Sequence, residues 1–186
     1  MKIFQIGTCK GNDDVTELVK LNEFELIVLV EPNIFHNEDI LKCYSGVNNV
    51  NLENIVITND ESQTESFFFY HEQDGPLYEV ASLDPYHILK HGYDRKGLVA
   101  SKIPAITINQ LFKKYNCSDI DILFVDAEGF DDAIVRSIDF NKYNINTIYY
   151  ENLHLRSNLD KYLESNGYKI TPQVGYNGWS NMAVKI

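Results

Sequence analysis

The densest group of polar residues in the sequence directly follows Ile120–Val125, which we predict to be a buried strand. Asp126 and Glu128 begin this group, and a glycine follows them. Two carboxyl groups this close influence each other's ionisation, which can raise the pKa of one of them toward neutrality. A carboxyl group tuned in this way is suited to general-base catalysis. We expect Asp131 and Asp132, a few residues on, only to cap the next helix.

A second candidate site is the loop after the first predicted strand, Lys2–Ile6. Gly7 and Gly11 lie in this loop, but their spacing matches neither the dinucleotide fingerprint G-x-G-x-x-G nor a P-loop. Glycines let the backbone approach a ligand closely, and the following helix offers its N-terminal N–H groups. Glu31 ends the second predicted strand about 20 residues further on, where a carboxylate can accept both hydroxyl groups of a ribose. The loop and this acid together predict a nucleoside-containing cofactor.

Apolar runs that alternate with helical spacing extend along most of the chain and would position these residues. The predicted strands are Lys2–Ile6, Phe24–Val30, Asn54–Thr58, Ala105–Ile108, Ile120–Val125, Thr147–Tyr150 and Met182–Ile186. The predicted helices are Asp13–Asn22, Glu38–Tyr44, Pro85–Lys90, Asn109–Tyr115, Asp131–Ile138 and Ser157–Asn166. This alternation is typical of one α/β domain over residues 1–186, with a mostly parallel sheet and helices on both faces. The ligand crevice is then expected at the carboxyl ends of the strands.

Residues 59–102 interrupt this alternation, and we predict an insertion on the substrate side that covers the crevice. The segment contains an aromatic run from Phe67 to Tyr70. We expect a hairpin that buries the phenylalanines of this run. Tyr78 and Tyr86 remain candidates for stacking on a sugar or an aromatic acceptor.

Charge and cysteine content exclude several classes of protein. The net charge of −11 disfavours a polyanionic partner, so we expect no long nucleic acid as substrate. The three cysteines are widely spaced and form no C-x-x-C pair, which argues against a disulfide framework and a zinc site. The longest apolar run, Leu26–Val30, is far too short to span a bilayer. These features predict a cytoplasmic protein and leave its oligomeric state open.

The stretch from Ile122 to Asp131 reads I-L-F-V-D-A-E-G-F-D and resembles the D-x-L-K-I-D-x-E-G-x-E signature of the FkbM family of methyltransferases. The resemblance continues in the family's order through I-G-T-C-K-G-N, V-E-P-N, N-I-V-I-T-N-D, A-I-T-I-N-Q-L, I-Y-Y-E-N and L-E-S-N-G-Y. It implies a Rossmann-like class I methyltransferase fold with an antiparallel strand near the C-terminus. It also implies S-adenosylmethionine as methyl donor and a hydroxyl group of a small molecule or glycan as acceptor.

The same resemblance implies roles for the matching residues. Those expected to bind the cofactor are Gly7, Thr8 and Gly11 at its methionine and ribose end, Glu31 with the adjacent Pro32 at the ribose, Asn59 and Asp60 near the adenine, and Asp126. Asp126 and Glu128 are expected to face the transferred methyl group and its acceptor. Two positions depart from the family's pattern, because Gln5 stands where an acid is usual and Phe124 where a lysine is usual. These departures weaken the expected grip on the methionine ammonium group and remove a charge partner.

Methyl transfer to a hydroxyl group requires alignment of the acceptor and a base that removes its proton. Glu128 is the first candidate base, beside Asp126, and His154 beyond the next predicted strand is the second. A divalent cation is the alternative means of positioning the acceptor. Asp126, Glu151 and Asn152 supply three oxygen ligands of the kind that Mg²⁺ or Ca²⁺ accepts.

Two other functions compete with methyl transfer. An NAD-dependent oxidoreductase would also use the glycine loop and Glu31, but the loop lacks a glycine of its fingerprint and the D-x-E-G segment would have no role. A non-catalytic, methyltransferase-like binding module is suggested by Gln5 and Phe124. The sequence predicts an S-adenosylmethionine-dependent methyltransferase with a small-molecule or carbohydrate acceptor, and these two functions remain as alternatives.

Overall fold

The computed structural model describes residues 1–73, 81–151, 158–175, 178 and 180–186. Its strands are β1 (Lys2–Ile6), β2 (Leu26–Val30), β3 (Val50–Glu53), β4 (Val56–Thr58), β5 (Glu65–His71), β6 (Leu98–Thr107), β7 (Asp119–Val125), β8 (Asn144–Glu151), β9 (Tyr168–Val174) and β10 (Ser180–Lys185). Its α-helices are α1 (Asp14–Leu21), α2 (Asn37–Cys43), α3 (Pro85–Lys90), α4 (Ile108–Lys114), α5 (Asp131–Arg136) and α6 (Leu159–Ser165), and a 3₁₀ turn covers Ile34–His36. None of the helices in these ranges has the length and hydropathy needed to cross a membrane.

Seven of the described strands form the main sheet, in the order β3-β2-β1-β7-β8-β10-β9. Neighbouring strands are parallel except at β10, which runs antiparallel to both β8 and β9. The order reverses between β1 and β7, and open α/β sheets bind ligands at such a point. The predicted Rossmann-like sheet and its antiparallel strand near the C-terminus are confirmed.

Hydrophobic side chains alternate between the two faces of this sheet, as strand geometry requires. On one face, β1 and β2 pack against buried residues of α1 and α2. On the other face, β1, β2, β7 and β8 pack against α4, α5 and α6. Within β1, Ile3 belongs to the first layer and Phe4 to the second. Helices therefore cover both faces, as predicted.

Side chains cap several of these helices at their first turn. Asp13 accepts two backbone N–H groups at the start of α1, and Thr107 and Gln110 form a capping box at the start of α4. Asp84 caps α3, whose first residue is Pro85. Proline suits that position because its fixed φ is helical and its missing N–H has no partner within the helix.

The predicted third strand, Asn54–Thr58, is wrong in part. The third strand of the main sheet is β3, whereas β4 pairs in parallel with β6 in a second sheet of order β4-β6-β5. β3 lies at the edge of the main sheet, and all four of its residues are only half-buried. Its sequence V-N-L-E therefore has no continuous apolar run, which is the signal of a strand buried on both faces.

The sequence does not predict β9, which lies at the other edge of the main sheet. This strand contains Pro172, and most of its residues are exposed. Proline lacks a backbone N–H and is tolerated in edge strands, where one side of the backbone needs no partner. The absence of an apolar pattern here reflects the strand's position.

Residues 59–102 contain α3 and most of an antiparallel pair formed by β5 and β6. The expected burial of the phenylalanines holds for Phe68, which is 7 % exposed, but not for Phe67, which is 54 % exposed. Successive strand residues face opposite sides, and one side of β5 is not covered. Tyr86 on α3 is exposed, and Tyr78 lies outside the described residues.

Candidate active site

A cavity of about 680 Å³, partly open to solvent, lies at the carboxyl ends of β1, β2 and β7. The glycine loop after β1, Glu31 after β2 and the acidic segment after β7 all contribute to its wall. The structure thus brings together the three segments that the sequence singles out.

The glycine loop is held against β2 and against the turn after β7. The N–H groups of Gly7 and Thr8 donate to the carbonyl oxygen of Val30, at 3.0 and 3.2 Å. Gly7 has a φ of +81°, and a Cβ at this position would overlap the carbonyl oxygen of Asp126. Gly7 lines the cavity, whereas Thr8 and Gly11 are buried and are not among the lining residues. Gly7 therefore lets the loop pack directly against the turn after β7, and it is the glycine of this loop that borders the cavity.

Glu31 is 5 % exposed, and its carboxylate is bound to the backbone on both sides. It accepts the N–H of Cys9 at 2.7 Å and the N–H of Asn33 at 2.8 Å. Burial raises the pKa of Glu31 to about 7, and these two hydrogen bonds oppose the rise. Each carboxylate oxygen can accept a further hydrogen bond, so a ligand hydroxyl group can still donate to Glu31. Pro32 lines the cavity beside it.

Another part of the cavity wall is apolar. Ile55, Val56 and Ile57, in and before β4, line it together with Phe68 and Ala81. This wall combines one aromatic ring with aliphatic side chains and offers no charged group. It is suited to a flat heteroaromatic ring, which gains from leaving water for an apolar contact.

Asn59 and Asp60, which the sequence predicts to lie near the adenine, are not part of this wall. Both are exposed, and neither is among the residues that line the cavity. Asp60 instead accepts hydrogen bonds from the hydroxyl and the N–H of Ser62, at 2.7 and 2.9 Å, and these lower the pKa of its carboxyl group. Residues 55–57 line the cavity, and Asn59 and Asp60 follow the end of β4 at Thr58. A role of Asn59 and Asp60 near the adenine stays a prediction.

Asp126 begins the acidic segment, and its N–H donates to the carbonyl oxygen of Ile6 at 2.9 Å. Its side chain lines the cavity and is accessible from it. Desolvation by the surrounding protein, followed by the charges of Glu128 and Asp13, raises the pKa of Asp126 to about 6, against an opposing effect of His87. The mutual influence of the two acids that the sequence predicts is present at Asp126.

Glu128 lies in the same turn with a φ of +48°, which is uncommon for a residue other than glycine. Two residues of segment 59–102 contact it. The hydroxyl of Ser82 donates to its carbonyl oxygen at 2.8 Å, and Nε2 of His87 lies 2.9 Å from its carboxylate Oε2. The insertion therefore reaches the acidic segment directly, and Glu128 lines the cavity beside Asp126.

Asp131 is part of the same acidic cluster, and the expectation that it only caps a helix is wrong. It is 3 % exposed and accepts the N–H of Ala127 at 3.4 Å. Burial, followed by the charge of Asp126, raises the pKa of Asp131 to about 7. The adjacent Asp132 faces outward and pairs with Arg136 at 2.9 Å.

Glu151, the last residue of β8, is the fourth acid of the cluster. Burial raises its pKa to about 8, and the charges of Asp126, Asp131 and Glu128 add to the rise. It lines a second cavity of about 960 Å³, whose wall also includes the first residues of α3 and of α5. Leu83 lines both cavities, so the two adjoin.

The remaining predicted site residues, His154 and Asn152, lie outside the described residues. In the part of the chain that the structure describes, no group of three or more His, Cys, Asp and Glu side chains is arranged to hold a metal ion. A metal bound by Asp126, Glu151 and Asn152 therefore stays a prediction.

The two departures from the family's pattern have defined surroundings. The amide of Gln5 donates to Asp13 at 2.6 Å and accepts from the hydroxyl of Tyr44 at 3.2 Å. Phe124 stacks on Tyr149 with ring centroids 4.3 Å apart. Gln5 thus places an acidic side chain beside the end of β1, and Phe124 packs against the neighbouring strand.

Sequence reasoning misses three histidine and serine residues near the site. His36 is buried and lines the first cavity, and Ser82 and His87 contact Glu128. Ser82 and Glu128 are 46 residues apart in the chain. No local pattern signals such a contact, because only the folded path of segment 59–102 creates it.

A family model described as "Methyltransferase FkbM domain" matches residues 5–170. No curated protein sequence matches the chain significantly.

Several solved structures that are similar to this chain are methyltransferases by their descriptions. Precorrin-6y C5,15-methyltransferase from Geobacter metallireducens GS-15 has a TM-score of 0.52 at 12% identity, covering 100% of this chain and 80% of that one. A putative O-methyltransferase from Klebsiella pneumoniae has a TM-score of 0.52 at 13% identity, covering 100% and 73%. An O-methyltransferase from Bacillus cereus in complex with SAH has a TM-score of 0.51 at 13% identity, covering 99% and 74%. At these identities the likeness establishes the fold.

Proposed function

This chain belongs to the FkbM family of methyltransferases, and we propose that it transfers the methyl group of S-adenosylmethionine to a hydroxyl oxygen of a small molecule or glycan. The observation that carries the proposal is the first cavity. Glu31, whose carboxylate is buried, and the acids Asp126 and Glu128 all line this cavity. The glycine loop borders the same cavity at Gly7. A cofactor with a nucleoside at one end and a cationic sulfonium at the other fits this distribution.

The residues present fit each part of that cofactor. The apolar wall around Ile57 and Phe68 suits the adenine, and Glu31 can accept the ribose hydroxyl groups. The negative charges of Asp126 and Glu128 favour a positive sulfonium nearby. When bound, S-adenosylmethionine would supply a methyl group that is already activated for displacement.

The chain's own contribution is alignment, exclusion of water and acceptance of a proton. We assign the base to Glu128, because it reaches the cavity and lies beside Asp126. Glu128 would accept the proton of the acceptor hydroxyl group as its oxygen takes up the methyl group, and the bound cofactor would supply both that methyl group and the neutral thioether that leaves. Asp126 would contribute negative charge next to the reacting centre.

The acceptor is assigned to the second cavity, which adjoins the first at Leu83. Tyr86, which is 57 % exposed, lines it and offers a ring face to a sugar or an aromatic acceptor. The described residues that line this cavity include four acids, Asp84, Asp131, Asp132 and Glu151, and no basic residue, so this wall offers nothing to neutralise the phosphates of a polyanion. A small molecule or a carbohydrate is therefore the proposed acceptor, and a long nucleic acid is not.

A cytoplasmic location belongs to the same proposal. None of the three cysteines, all of which lie in the described residues, forms a disulfide bond. Reduced thiols are typical of a reducing compartment.

Calorimetric titration tests the cofactor. We expect binding of S-adenosylhomocysteine and none of NAD. The variant Glu31→Gln should lose about 10- to 100-fold in affinity, because hydrogen bonds to a charged acceptor are worth about 1.5–3 kcal/mol. Glu53→Gln is the matched control, since Glu53 also ends a strand of the main sheet but is not among the residues that line either cavity. Binding of NAD alone would favour an oxidoreductase, and binding of neither would overturn both enzyme proposals.

Transfer of a labelled methyl group from S-adenosylmethionine to a panel of sugars, glycosides and hydroxylated aromatics tests catalysis. Glu128→Gln should bind S-adenosylhomocysteine as the wild type does and lose about 100- to 10,000-fold in turnover, the range typical of a general base. Unchanged turnover would remove Glu128 as the base. Cofactor binding without transfer to any acceptor would favour the non-catalytic binding module.

A further inference from the structure

The geometry points to a positioning role for His87, whose imidazole holds the carboxylate of Glu128 in the orientation that receives the acceptor's proton. This inference rests on the proposed function, because it assigns a helper to the base of that reaction. His87 is not among the residues that line either cavity, so it acts through Glu128 and does not touch the substrate.

The contact joins a buried group to an accessible one. The imidazole of His87 is 3 % exposed, and its Nε2 lies 2.9 Å from Oε2 of Glu128. The side chain of Glu128 is 30 % exposed and borders the first cavity. A carboxylate on a flexible side chain points in one direction only if a rigid neighbour holds it. A buried ring on α3 is such a neighbour.

Two further features fit the turn after β7 to the imidazole of His87. The hydroxyl of Ser82 donates to the carbonyl oxygen of Glu128, which anchors the backbone of the same residue. Gly129 leaves room for the imidazole, since a Cβ there would lie 3.2 Å from Nδ1 of His87. The backbone of Glu128 itself is in the left-handed region, at a φ of +48°. Three features of the fold therefore converge on the direction of one carboxylate.

A merely structural pairing predicts a different result from a positioning role. If the pair only stabilises the packing of α3 against the turn, its loss lowers the free energy of unfolding and leaves turnover per folded molecule unchanged. If His87 positions the base, its loss lowers kcat much more than it changes the KM for S-adenosylmethionine, because Glu31 and the apolar wall, which would hold the ribose and the adenine, do not depend on the direction of Glu128.

The variants His87→Gln and His87→Asn separate these possibilities. Glutamine carries its amide nitrogen where Nε2 lies and so keeps a polar nitrogen beside the carboxylate of Glu128. Asparagine carries its nitrogen where Nδ1 lies and leaves the position of Nε2 without one. With an acceptor from the panel above, we expect His87→Asn to lose about 100-fold in kcat, the size of effect that a misplaced group produces. We expect His87→Gln to recover most of that loss.

His71→Asn is the matched control for the integrity of the insertion. His71 is 5 % exposed, belongs to the same segment and pairs with an acid, Asp94, at 3.9 Å, but it does not contact Glu128. The variant His71→Asn should therefore leave kcat unchanged. Equal losses in His87→Gln and His87→Asn, or an equal loss in His71→Asn, would overturn the positioning role.

A second measurement needs no acceptor. Urea unfolding of His87→Asn, Glu128→Gln and the double variant forms a double-mutant cycle, in which the shift of the double variant should be smaller than the sum of the single shifts. Additive shifts would overturn the contact on which the inference depends. Failure of the wild type to bind S-adenosylhomocysteine would instead reject the proposed function, while the cycle would still decide whether His87 holds Glu128.

Discussion

Gly7 allows the glycine loop after β1 to lie close to the acidic segment after β7. Its φ of +81° and its contact with the carbonyl oxygen of Asp126 leave no space for a side chain. The sequence singles out this glycine and the acids Asp126 and Glu128 because each follows closely on an apolar run, and all three line the first cavity. It does not separate Asp131 from Asp132, since burial of a carboxylate depends on neighbours that are distant in the chain.

Gly7→Ala is predicted to destabilise the protein and abolish binding of S-adenosylhomocysteine. The matched control is Gly46→Ala, because Gly46 has nearly the same φ, +82°, and a Cβ added there would have no other atom within 4 Å. Gly46→Ala should therefore cost only the left-handed backbone strain, about 1–2 kcal/mol, with affinity unchanged. Urea unfolding and calorimetry measure both quantities. Equal losses of stability in the two variants would contradict the role of the close approach at Gly7.

At the scale of elements, local sequence patterns predict the strands that lead into the site. They do not predict the strands at the edges of the main sheet. β1, β2 and β7 are apolar runs buried between two helix layers, so their positions are predicted within a few residues. β3 and β9 lie at the sheet edges, where exposure removes the apolar pattern. The predicted helix boundaries agree with the structure within two residues, and both ends coincide at α3, where Asp84 caps the helix and Pro85 begins it.

Thr107→Ala is predicted to lower the free energy of unfolding by about 1 kcal/mol, because it removes the cap of α4. Thr107→Ser should retain most of the stability, since serine also accepts the N–H of Gln110. Affinity for S-adenosylhomocysteine should stay the same in both variants, because Thr107 is not among the cavity-lining residues. Chemical denaturation measures the effect, and equal losses in the two variants would show that the hydroxyl is not what stabilises α4.

At the scale of the whole molecule, ionisation of several carboxyl groups at one end of the sheet destabilises the ligand-free protein. Desolvation raises the pKa values of Glu31, Asp131 and Glu151 to about 7, 7 and 8. Asp126 is more accessible, and desolvation together with the charges of Glu128 and Asp13 raises its pKa to about 6. Carboxyl groups with raised pKa values hold their protons in the folded state at a pH where the unfolded chain has released them. A cationic cofactor beside Asp126 would offset part of this destabilisation.

We therefore predict that the ligand-free protein loses stability as the pH rises from about 4, where these groups ionise in the unfolded chain, to about 8, where the last of them ionises in the folded state. Scanning calorimetry should give a lower Tm at pH 8 than at pH 5.5. Glu151→Gln should reduce this difference, because it removes the group with the highest of the four pKa values. A Tm that is constant or rises over this range would contradict the prediction.

The sequence by itself determined the α/β class, the glycine loop, the strand-end acid Glu31 and the D-x-E-G segment, because each is a pattern among residues close together in the chain. Only the tertiary structure decided that residues 55–57, rather than Asn59 and Asp60, line the cavity, and that Asp131 is buried in the acidic cluster. The tertiary structure also decided that Ser82 and His87 reach Glu128. These contacts join segments that are distant in the chain, so no local sequence pattern predicts them.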